Sequence, residues 1–548
     1  MRDVRISVKQ KHLQHNAILT TNHQVQLSNI AHEIVLQIMN QILGTSTKSG
    51  SQQGLEEPRK IMQSTYMQLV LRFLLLTIPN LMVLALVYPG FLQADHQNTI
   101  AFMATGKFDE WHSLLWGFFA YPFLYLSGSI AVYGIVQIAI FSLSILYSVH
   151  ALQSMNIVSN RFAWGLIFFF AISPTFLMYN ELYSSDVIFS ALLAPLTVAL
   201  IKVLVSNGKA LSKISFSIPL TILFYIIFEL RKNAVLIIIA GFIFMFFLFK
   251  KYRKQSFLMF VGCIALILCT SLFNSVILHS EKSPSQEMLA VPVQQIGRAV
   301  ADGGEIPEDA VKTLEKIRPL REWGEDYHFD NSDYLKFNNK YPDKEKVTLS
   351  SEFISAWIKI GIKNPTSYIR AYIDFMHPYW QLGADRSTTY ISTDFLNHDN
   401  YTIDSCHGSC RAQYIEQFDR KNTRWQNRLS RADQTIDNLH IPLLTDAVDF
   451  IFFNRALPLW IFIFGLIVAI RKKTLKYYFL VSSPLWCILL SLFFFSPVAC
   501  FRYALQMYYL LPLLVAWLVS ISVASNPKTC SIPPRISCRT PTDPGFNL

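Results

Sequence analysis

Asp95 is the residue of this chain whose type and position most directly suggest chemistry. It follows the first membrane-length apolar run, in the segment Tyr88-Pro-Gly-Phe-Leu-Gln-Ala-Asp95-His96-Gln97, and it opens a loop that ends with Asp109-Glu110-Trp111-His112. A carboxylate just outside a transmembrane helix can serve as a proton acceptor or as a metal ligand. Asp95 therefore points to an enzyme that works at the outer face of a membrane.

The composition is that of a membrane protein. Over 548 residues the chain is 52% hydrophobic and only 16% charged, and it contains 42 Phe. Its apolar residues form continuous runs of about 17 to 22 residues, the length that crosses a bilayer. The formal charge of +11 comes from short basic tracts beside these runs. That distribution is the positive-inside bias, and it argues against a nucleic-acid partner.

The apolar runs predict an all-α polytopic fold with ten transmembrane helices. The predicted spans are residues 67-88, 129-149, 162-180, 187-204, 214-230, 233-249, 256-277, 451-470, 475-496 and 503-524. The apolar stretch from Leu114 to Leu126 contains Pro122 and is too short to cross unaided, so we expect a re-entrant or interfacial segment. Residues 1-66 are predicted to be a cytoplasmic arm, and residues 525-548 a cytoplasmic tail rich in Pro and Ser.

The basic tracts orient these spans. With ten spans, the tracts at 250-254 and 471-473 both fall in the cytoplasm, as the positive-inside rule requires. The outer face then receives four groups of ionisable residues at helix ends, namely Asp95 in the outer loop 89-128, Asp186, Arg231-Lys232 and Arg502. A single ionisable residue at a helix end is usually an anchor, but four on one face favour a shared site.

A polar segment, residues 278-450, separates the transmembrane core 67-277 from the C-terminal spans 451-524 and is predicted to be a mostly helical extracytoplasmic domain. An apolar pattern of helical period runs through Phe353, Trp357, Ile360, Ile369 and Ile373, with an interruption at Pro365, and indicates helices there. The group His377-Pro-Tyr379-Trp380 suits either sugar stacking or the membrane interface.

Cys406 and Cys410 flank His407 in the same outer domain. A disulfide is expected there, because a metal site would need further ligands that no nearby spacing supplies. The sequence also contains no Gly-rich phosphate loop, no GxSxG and no His-Glu-x-x-His. An activated substrate would therefore have to reach the outer face on a lipid carrier.

Several short motifs resemble the GT-C class of polytopic glycosyltransferases, especially bacterial members distantly similar to protein mannosyltransferases. The first outer loop carries Pro89-Gly90 to Asp95, followed by Gln97, Gly106 and Trp111-His112. Further matches are Ser185-Asp186-Val187 with Phe189, Leu230-Arg231-Lys-Asn233, Pro292-Val-Gln294-Gln295 and Phe501-Arg502-Tyr503. The resemblance covers most of residues 67 to 520 in order. Ser113 and Ser185 stand where relatives commonly have Pro and Lys.

The resemblance implies a transferase that moves a sugar from a polyprenyl-phosphate donor to a lipid or glycan acceptor at the outer leaflet of the bacterial inner membrane. By that likeness Asp95 is the catalytic carboxylate, and His112 and Gln294 contact substrate. Arg231 and Arg502 suit the donor phosphate, because guanidinium binds phosphate in bidentate fashion. Asp186 would orient the acceptor or help to hold a divalent cation.

The need for a metal stays open at this stage. Mg²⁺ or Mn²⁺ could be held by Asp95 and Asp109, whereas a solvated loop equally explains Asp109, Glu110 and His112. Two other functions are also open. An O-antigen polymerase or ligase would depend on Arg298, Arg370 or His377 in the large outer loop. A transporter of lipid-linked sugars would show two related halves and broken helices, and no such repeat is evident.

Overall fold

The structure, a computed structural model, describes residues 56–92, 94–337, 340–382, 447–448 and 450–524. The chain divides into two compact units, residues 1–68 and residues 69–548. The second unit contains every residue of the candidate site. Cys406 and Cys410, with their predicted disulfide, lie outside the described residues, as do most of the N-terminal arm and the C-terminal tail.

The described chain is built almost entirely of helices. The polar segment 278-450 is called the outer domain here after its predicted location. Before it the helices are α1 Glu56–Leu86, α2 Ala94–Thr105, α3 Leu114–Ser127, α4 Ala131–Ser154, α5 Asn160–Ile172, α6 Pro174–Tyr179, α7 Ser185–Val205, α8 Ile214–Leu230, α9 Val235–Leu248 and α10 Arg253–Leu272. The outer domain has α11 Ala290–Ala301, α12 Glu308–Ile317, α13 Leu320–Glu325, α14 Asp333–Lys336, α15 Ser351–Lys363 and α16 Pro365–Met376. The C-terminal helices are α17 Leu457–Arg471, α18 Leu475–Val481, α19 Ser483–Phe495, α20 Phe501–Tyr508 and α21 Leu511–Ala524.

The apolar helices identify an integral membrane protein. Five stretches within the described residues are long and apolar enough to cross a bilayer: Tyr66–Leu86, Ala131–Ser154, Ser185–Val205, Lys250–Ile277 and Phe501–Ser522. A bent pair, α18 and α19, brings the number to six if it is one span. Shorter apolar helices occupy the other predicted spans, so the count of ten stays a prediction. Helix α3 has 14 residues and is about 21 Å long, short of the bilayer core, as expected for the Leu114 segment.

Two of the predicted straight spans are broken in the structure. The span predicted at 162-180 divides at Ser173 into α5 and α6, and the span predicted at 475-496 bends by 72° between α18 and α19. Both breaks precede a proline, Pro174 or Pro484, in the first turn of the second helix. Proline donates no amide hydrogen bond and clashes with the preceding turn, so it interrupts a helix that hydropathy alone makes continuous.

Helix α7 lies at the centre of the bundle. In the most apolar 18-residue stretch of α7, 78% is buried inside the protein. In the corresponding stretch of the span that includes α10, only 17% is buried. Phe257, Leu258 and Leu268 of α10 are exposed, as expected for side chains that face lipid. Helix α7 packs against α4, α8 and α20, and this central position fixes the residues at its N-terminal end.

A two-stranded parallel ladder joins the segment that precedes Asp95 to the segment that precedes Asp186. Strand β1, Phe91–Leu92, pairs with β2, Leu182–Tyr183, in the register Phe91 with Leu182 and Leu92 with Tyr183. Gly90 precedes β1 with φ +90°, and a β-carbon there would collide with the Tyr183 hydroxyl. Only glycine allows this close approach.

The outer-domain helices surround a hydrophobic cluster of their own, which includes Leu314, Trp323 and Phe353. The apolar pattern of helical period falls on α15 and α16, on either side of the interruption at Pro365. Ile369 and Ile373 of this pattern are exposed. Helix α16 instead buries Tyr368, Ala371 and Phe375. Pro365 begins a new helix, so the buried face of α16 does not continue the buried face of α15.

Candidate functional site

The β1–β2 register places Asp95 and Asp186 at equivalent positions. Asp95 follows Leu92 by three residues and Asp186 follows Tyr183 by three, and these two strand residues are partners. Each aspartate lies in the first turn of a helix, Asp95 in α2 and Asp186 in α7. The two carboxylates therefore meet at the same edge of the ladder, beside two helix N-termini whose dipoles favour negative charge.

Arg231 brings the C-terminal end of α8 to this edge. Its guanidinium donates to the Asp186 carboxylate in a short ion pair. A second contact holds the same helix end, because the Ser113 hydroxyl donates to the Glu229 carbonyl oxygen over 2.7 Å. Ser113 also caps α3 by accepting from the Trp116 amide at 3.1 Å. The outer loop and the end of α8 are thus fixed to each other.

Arg502 connects the two carboxylates. From the first turn of α20 it donates to Asp95 with Nη1 to Oδ2 at 3.1 Å, and its Nε lies 3.9 Å from Asp186 Oδ2. Its other amino group donates to the Tyr503 hydroxyl at 3.0 Å. The Tyr503 ring centre lies 5.0 Å from the Arg231 guanidinium carbon and 4.9 Å from that of Arg502, within cation–π range of both.

The four charged residues form one cluster with an exposed end and a buried end. The side chain of Asp95 is 42% exposed, whereas those of Asp186, Arg231 and Arg502 are 11%, 19% and 14% exposed. The charges of two carboxylates and two guanidiniums cancel. Asp95 is consequently the member best placed to meet a substrate hydroxyl, and the buried members form the base of the site.

His96 fixes the entrance of α7 from the neighbouring helix. Its Nε2 accepts the Ser185 backbone N–H at 2.8 Å and lies 2.9 Å from the Ser185 hydroxyl. A ring nitrogen that accepts an amide hydrogen bond carries no proton, so the His96 proton is on Nδ1. Burial, and secondarily the proximity of His112, lowers the pKa of His96 to about 3. The imidazole is therefore a neutral acceptor that holds the start of α7.

His112 and Asp109 lie nearby but outside the cluster. The His112 ring stacks on Trp111 and its centroid is 5.9 Å from that of His96. Asp109 accepts the Trp111 amide at 2.5 Å, and burial raises the pKa of its carboxyl. Among the described residues no group of three or more His, Cys, Asp and Glu side chains could hold a metal ion. Arg231 and Arg502 instead occupy oxygens of Asp186 and Asp95.

Gln294 belongs to a different part of the protein. It is buried in α11 of the outer domain, where its amide donates to the His328 carbonyl oxygen at 2.8 Å. The structure does not bring it to the charged cluster. Two residues of the alternative ligase hypothesis, Arg298 and His377, line an outer-domain cavity, whereas Arg370 is exposed.

Sequence reasoning missed the parts played by His96 and Tyr503. Both are adjacent to a predicted site residue, and that adjacency was the only signal available for either. The two serines that depart from the usual GT-C residues, Ser113 and Ser185, make backbone-fixing hydrogen bonds at the edge of the site.

Comparison with known proteins gives a family and no function. A protein-family model described as a family of unknown function, DUF6020, matches residues 56–529. No curated protein and no solved structure matches the chain. The matched range contains the whole charged cluster.

Proposed function

The chain belongs to DUF6020, a family of unknown function, and from the site itself we propose a membrane glycosyltransferase that uses a polyprenyl-phosphate-linked sugar as donor. The acceptor is a lipid or glycan of the cell envelope. We further propose that all ten predicted spans cross the bacterial inner membrane, with the site at its outer face. Membrane lipids are then both the surroundings of the protein and the source of its donor.

One observation supports this proposal above the others. Four charged side chains from four distant segments, at residues 95, 186, 231 and 502, converge on a single cluster at helix ends. Helix anchors would be expected to point separately toward lipid headgroups. A cluster that combines one accessible carboxylate with two partly buried guanidiniums matches what transfer from a phospho-sugar requires, namely a base for the acceptor and cations for the leaving phosphate.

The proposed reaction balances without any further component. Asp95 takes the proton of the acceptor hydroxyl as that oxygen forms a bond to the anomeric carbon of the sugar. The bond between the anomeric carbon and the phosphate oxygen breaks, and its electron pair leaves with the polyprenyl phosphate. Arg231 and Arg502 hold the phosphate and stabilise the negative charge that it gains. Asp186 and Tyr503 keep these two guanidiniums in position.

Donor binding also changes the state of Asp95 in this scheme. Without donor, Arg502 donates to the Asp95 carboxylate at 3.1 Å. A phosphate bound to Arg502 would compete for that donor, so the Asp95 carboxylate would be released toward the acceptor hydroxyl only when the donor is in place. This coupling would limit proton transfer to the complex in which both substrates are present.

Asp95→Asn is the test of the proposal. The amide keeps the shape of the side chain and can accept the Arg502 hydrogen bond, but it cannot take a proton at this step. Transfer of radiolabelled sugar from a polyprenyl-phosphate donor, measured in membranes with equal amounts of protein, should fall about 100-fold or more. Asp109→Asn is the matched control, since this loop carboxylate accepts a backbone amide and an amide oxygen can do the same.

Activity of Asp95→Asn within a few-fold of the wild type would reject Asp95 as the base. If the wild-type protein transfers no sugar from this donor, the polymerase, ligase and transporter alternatives become the better explanations. Those alternatives make no use of a carboxylate after the first span, so Arg298→Ala and His377→Ala would then be the next variants to measure.

A further inference from the structure

Two cavities in the outer domain share one residue. The first has a volume of about 470 Å³ and is lined by residues that include Tyr334, Phe337 and His328. The second has a volume of about 590 Å³ and is lined by residues that include Phe329, Trp380 and, again, His328. Both volumes fall in the range of small-ligand sites. Because His328 borders each cavity, the two are adjacent.

Aromatic rings line both cavities, and one ring of the first cavity contacts the loop that carries Trp111 and His112. The Phe329 and His377 rings are 6.4 Å apart, and the His328 and Tyr334 rings are 4.2 Å apart. The Phe337 ring of the first cavity lies 5.8 Å from Trp111. Trp111 stacks on His112, whose ring in turn is 5.9 Å from His96, next to Asp95. We give the name aromatic track to the rings that line the two cavities and the adjoining loop, namely those of Trp380, His377, Phe329, His328, Tyr334, Phe337, Trp111 and His112.

The charges along the aromatic track are paired. Asp326 binds both Arg318 and Lys340, and the Asp333 carboxylate binds Lys336. In the second cavity Arg298 binds Asp374. Paired charges leave hydrogen-bonding groups beside the rings but little excess charge to attract a phosphate, a nucleic acid or an acidic polymer. The combination of half-exposed rings and paired polar groups suits a neutral sugar, whose C–H faces stack on rings and whose hydroxyls bind planar polar groups.

The track is attached firmly to the elements of the site. Gln294 holds the His328 carbonyl, and Ser332 binds the Pro497 carbonyl oxygen through both its amide, at 3.0 Å, and its hydroxyl, at 2.8 Å. Pro497 lies a few residues before Arg502. The segment that carries the rings is therefore fixed to the segment that carries a guanidinium of the cluster, and a ligand on the track would have a defined distance to Asp95.

We infer that the aromatic track binds the acceptor, and that the acceptor is a neutral glycan chain of several sugar units. This inference rests on the proposed glycosyl transfer. The end of the glycan at His112 would present a hydroxyl to Asp95. The two cavities and the rings between them would hold successive sugars. A peptide or a lipid alone is the competing occupant.

A photocrosslinker placed in the track captures whichever ligand occupies it. Phe329 is 47% exposed and tolerates a larger ring, so Phe329→p-benzoylphenylalanine can be made in the full-length protein in its own cells and irradiated. Tyr125→p-benzoylphenylalanine is the matched control, because Tyr125 is an exposed ring on α3 that lines neither cavity. We expect an adduct at position 329 whose masses are spaced by sugar units. The captured ligand should be destroyed by periodate and should not be cleaved by protease. Trp380→Ala in the same protein should reduce its yield several-fold.

The outcomes separate the two proposals. An adduct that is peptide or phospholipid, or one no stronger than at position 125, overturns the glycan inference whatever the activity of the enzyme. If the glycan adduct forms but the wild-type protein transfers no sugar from the polyprenyl-phosphate donor, the proposed function fails and the binding track stands. If Asp95→Asn transfers sugar as well as the wild type does, only the role of Asp95 as the base is lost. If Asp95→Asn is inactive and no glycan adduct forms, only the acceptor inference is lost.

Discussion

Asp186→Asn should strengthen the binding of a phosphate to this protein while it weakens catalysis. In the wild type the Asp186 carboxylate neutralises Arg231 through a short ion pair and lies 3.9 Å from Arg502 Nε. An amide of the same shape keeps a hydrogen-bond acceptor and removes one negative charge. The cluster of two arginines and two aspartates then has one positive charge in excess, which an incoming phosphate would balance. Turnover should fall because the two guanidiniums are oriented less firmly.

The size of the effect follows from Coulomb's law. At a separation of roughly 6 Å and an effective dielectric constant of about 20, the repulsion between a phosphate charge and the Asp186 carboxylate is about 2.8 kcal/mol. The exposed end of the site, where Asp95 is 42% exposed, admits solvent that screens part of this. Half of the value, about 1.4 kcal/mol, corresponds to a tenfold lower Kd.

Farnesyl phosphate, a short polyprenyl phosphate without a sugar, is a suitable ligand for this measurement. Its Kd is determined by calorimetry on the purified protein, with size-exclusion profiles to confirm that the variant is folded. Asp309→Asn is the control, because Asp309 is also paired, with Lys359, but is exposed and belongs to α12 of the outer domain. An unchanged or higher Kd in folded Asp186→Asn would refute phosphate binding by the two arginines.

Three other predictions can be checked with the same preparations. Arg502→Lys should keep the positive charge but lose the simultaneous contacts with Asp95 and Tyr503. The free energy of interaction with the donor should weaken by about 1.5–3 kcal/mol per lost charge-assisted contact, so lysine should rescue the activity of Arg502→Ala only in part. Equal activity with Lys and with Arg at position 502 would exclude bidentate binding. Arg231→Ala should weaken donor binding by a similar amount, and normal donor dependence would remove Arg231 from the site. In the folded protein the pKa of His96 is about 3, against an ordinary value of 6.5. Between these two pH values the unfolded chain binds a proton at His96 and the folded protein does not. The free energy of unfolding should therefore fall as the pH drops from 6.5 towards 3 and should not depend on His96 above pH 6.5. The unfolding temperature of His96→Gln should fall less between pH 6.5 and pH 3 than that of the wild type. The same dependence on pH in both proteins would contradict this prediction.

The positions of the apolar helices could be predicted because hydropathy depends on local sequence. The prediction of 214-230 coincides with α8, and that of 187-204 differs from α7 by one or two residues at each end. The breaks at Ser173 and Ser482 could not be predicted from hydropathy, since they depend on the backbone chemistry of the following proline. The apolar pattern alone does not identify the buried face of α16, because Pro365 starts a new helix and Ile369 is exposed.

The candidate site could be predicted only as a set of residues on one face. The pairing of Asp186 with Arg231, and the connection of both aspartates through Arg502, depend on contacts between segments far apart in the chain. The β1–β2 ladder was invisible in the sequence, because two-residue strands are too short to show alternation. His96 illustrates the same limit, since its importance depends on an amide that belongs to α7.

The contact between Asp95 and Arg502 joins residues 407 positions apart, and this has a consequence for biogenesis. During synthesis the loop that carries Asp95 leaves the ribosome long before the helix that carries Arg502. At roughly 5–20 residues per second, about 20–80 s pass between the two events. A nascent chain with most of its helices already inserted therefore still lacks the guanidinium that completes the cluster. The protein would be inert toward lipid-linked sugars until the C-terminal helices enter the membrane, so premature termination would yield an inactive product instead of an uncontrolled transferase.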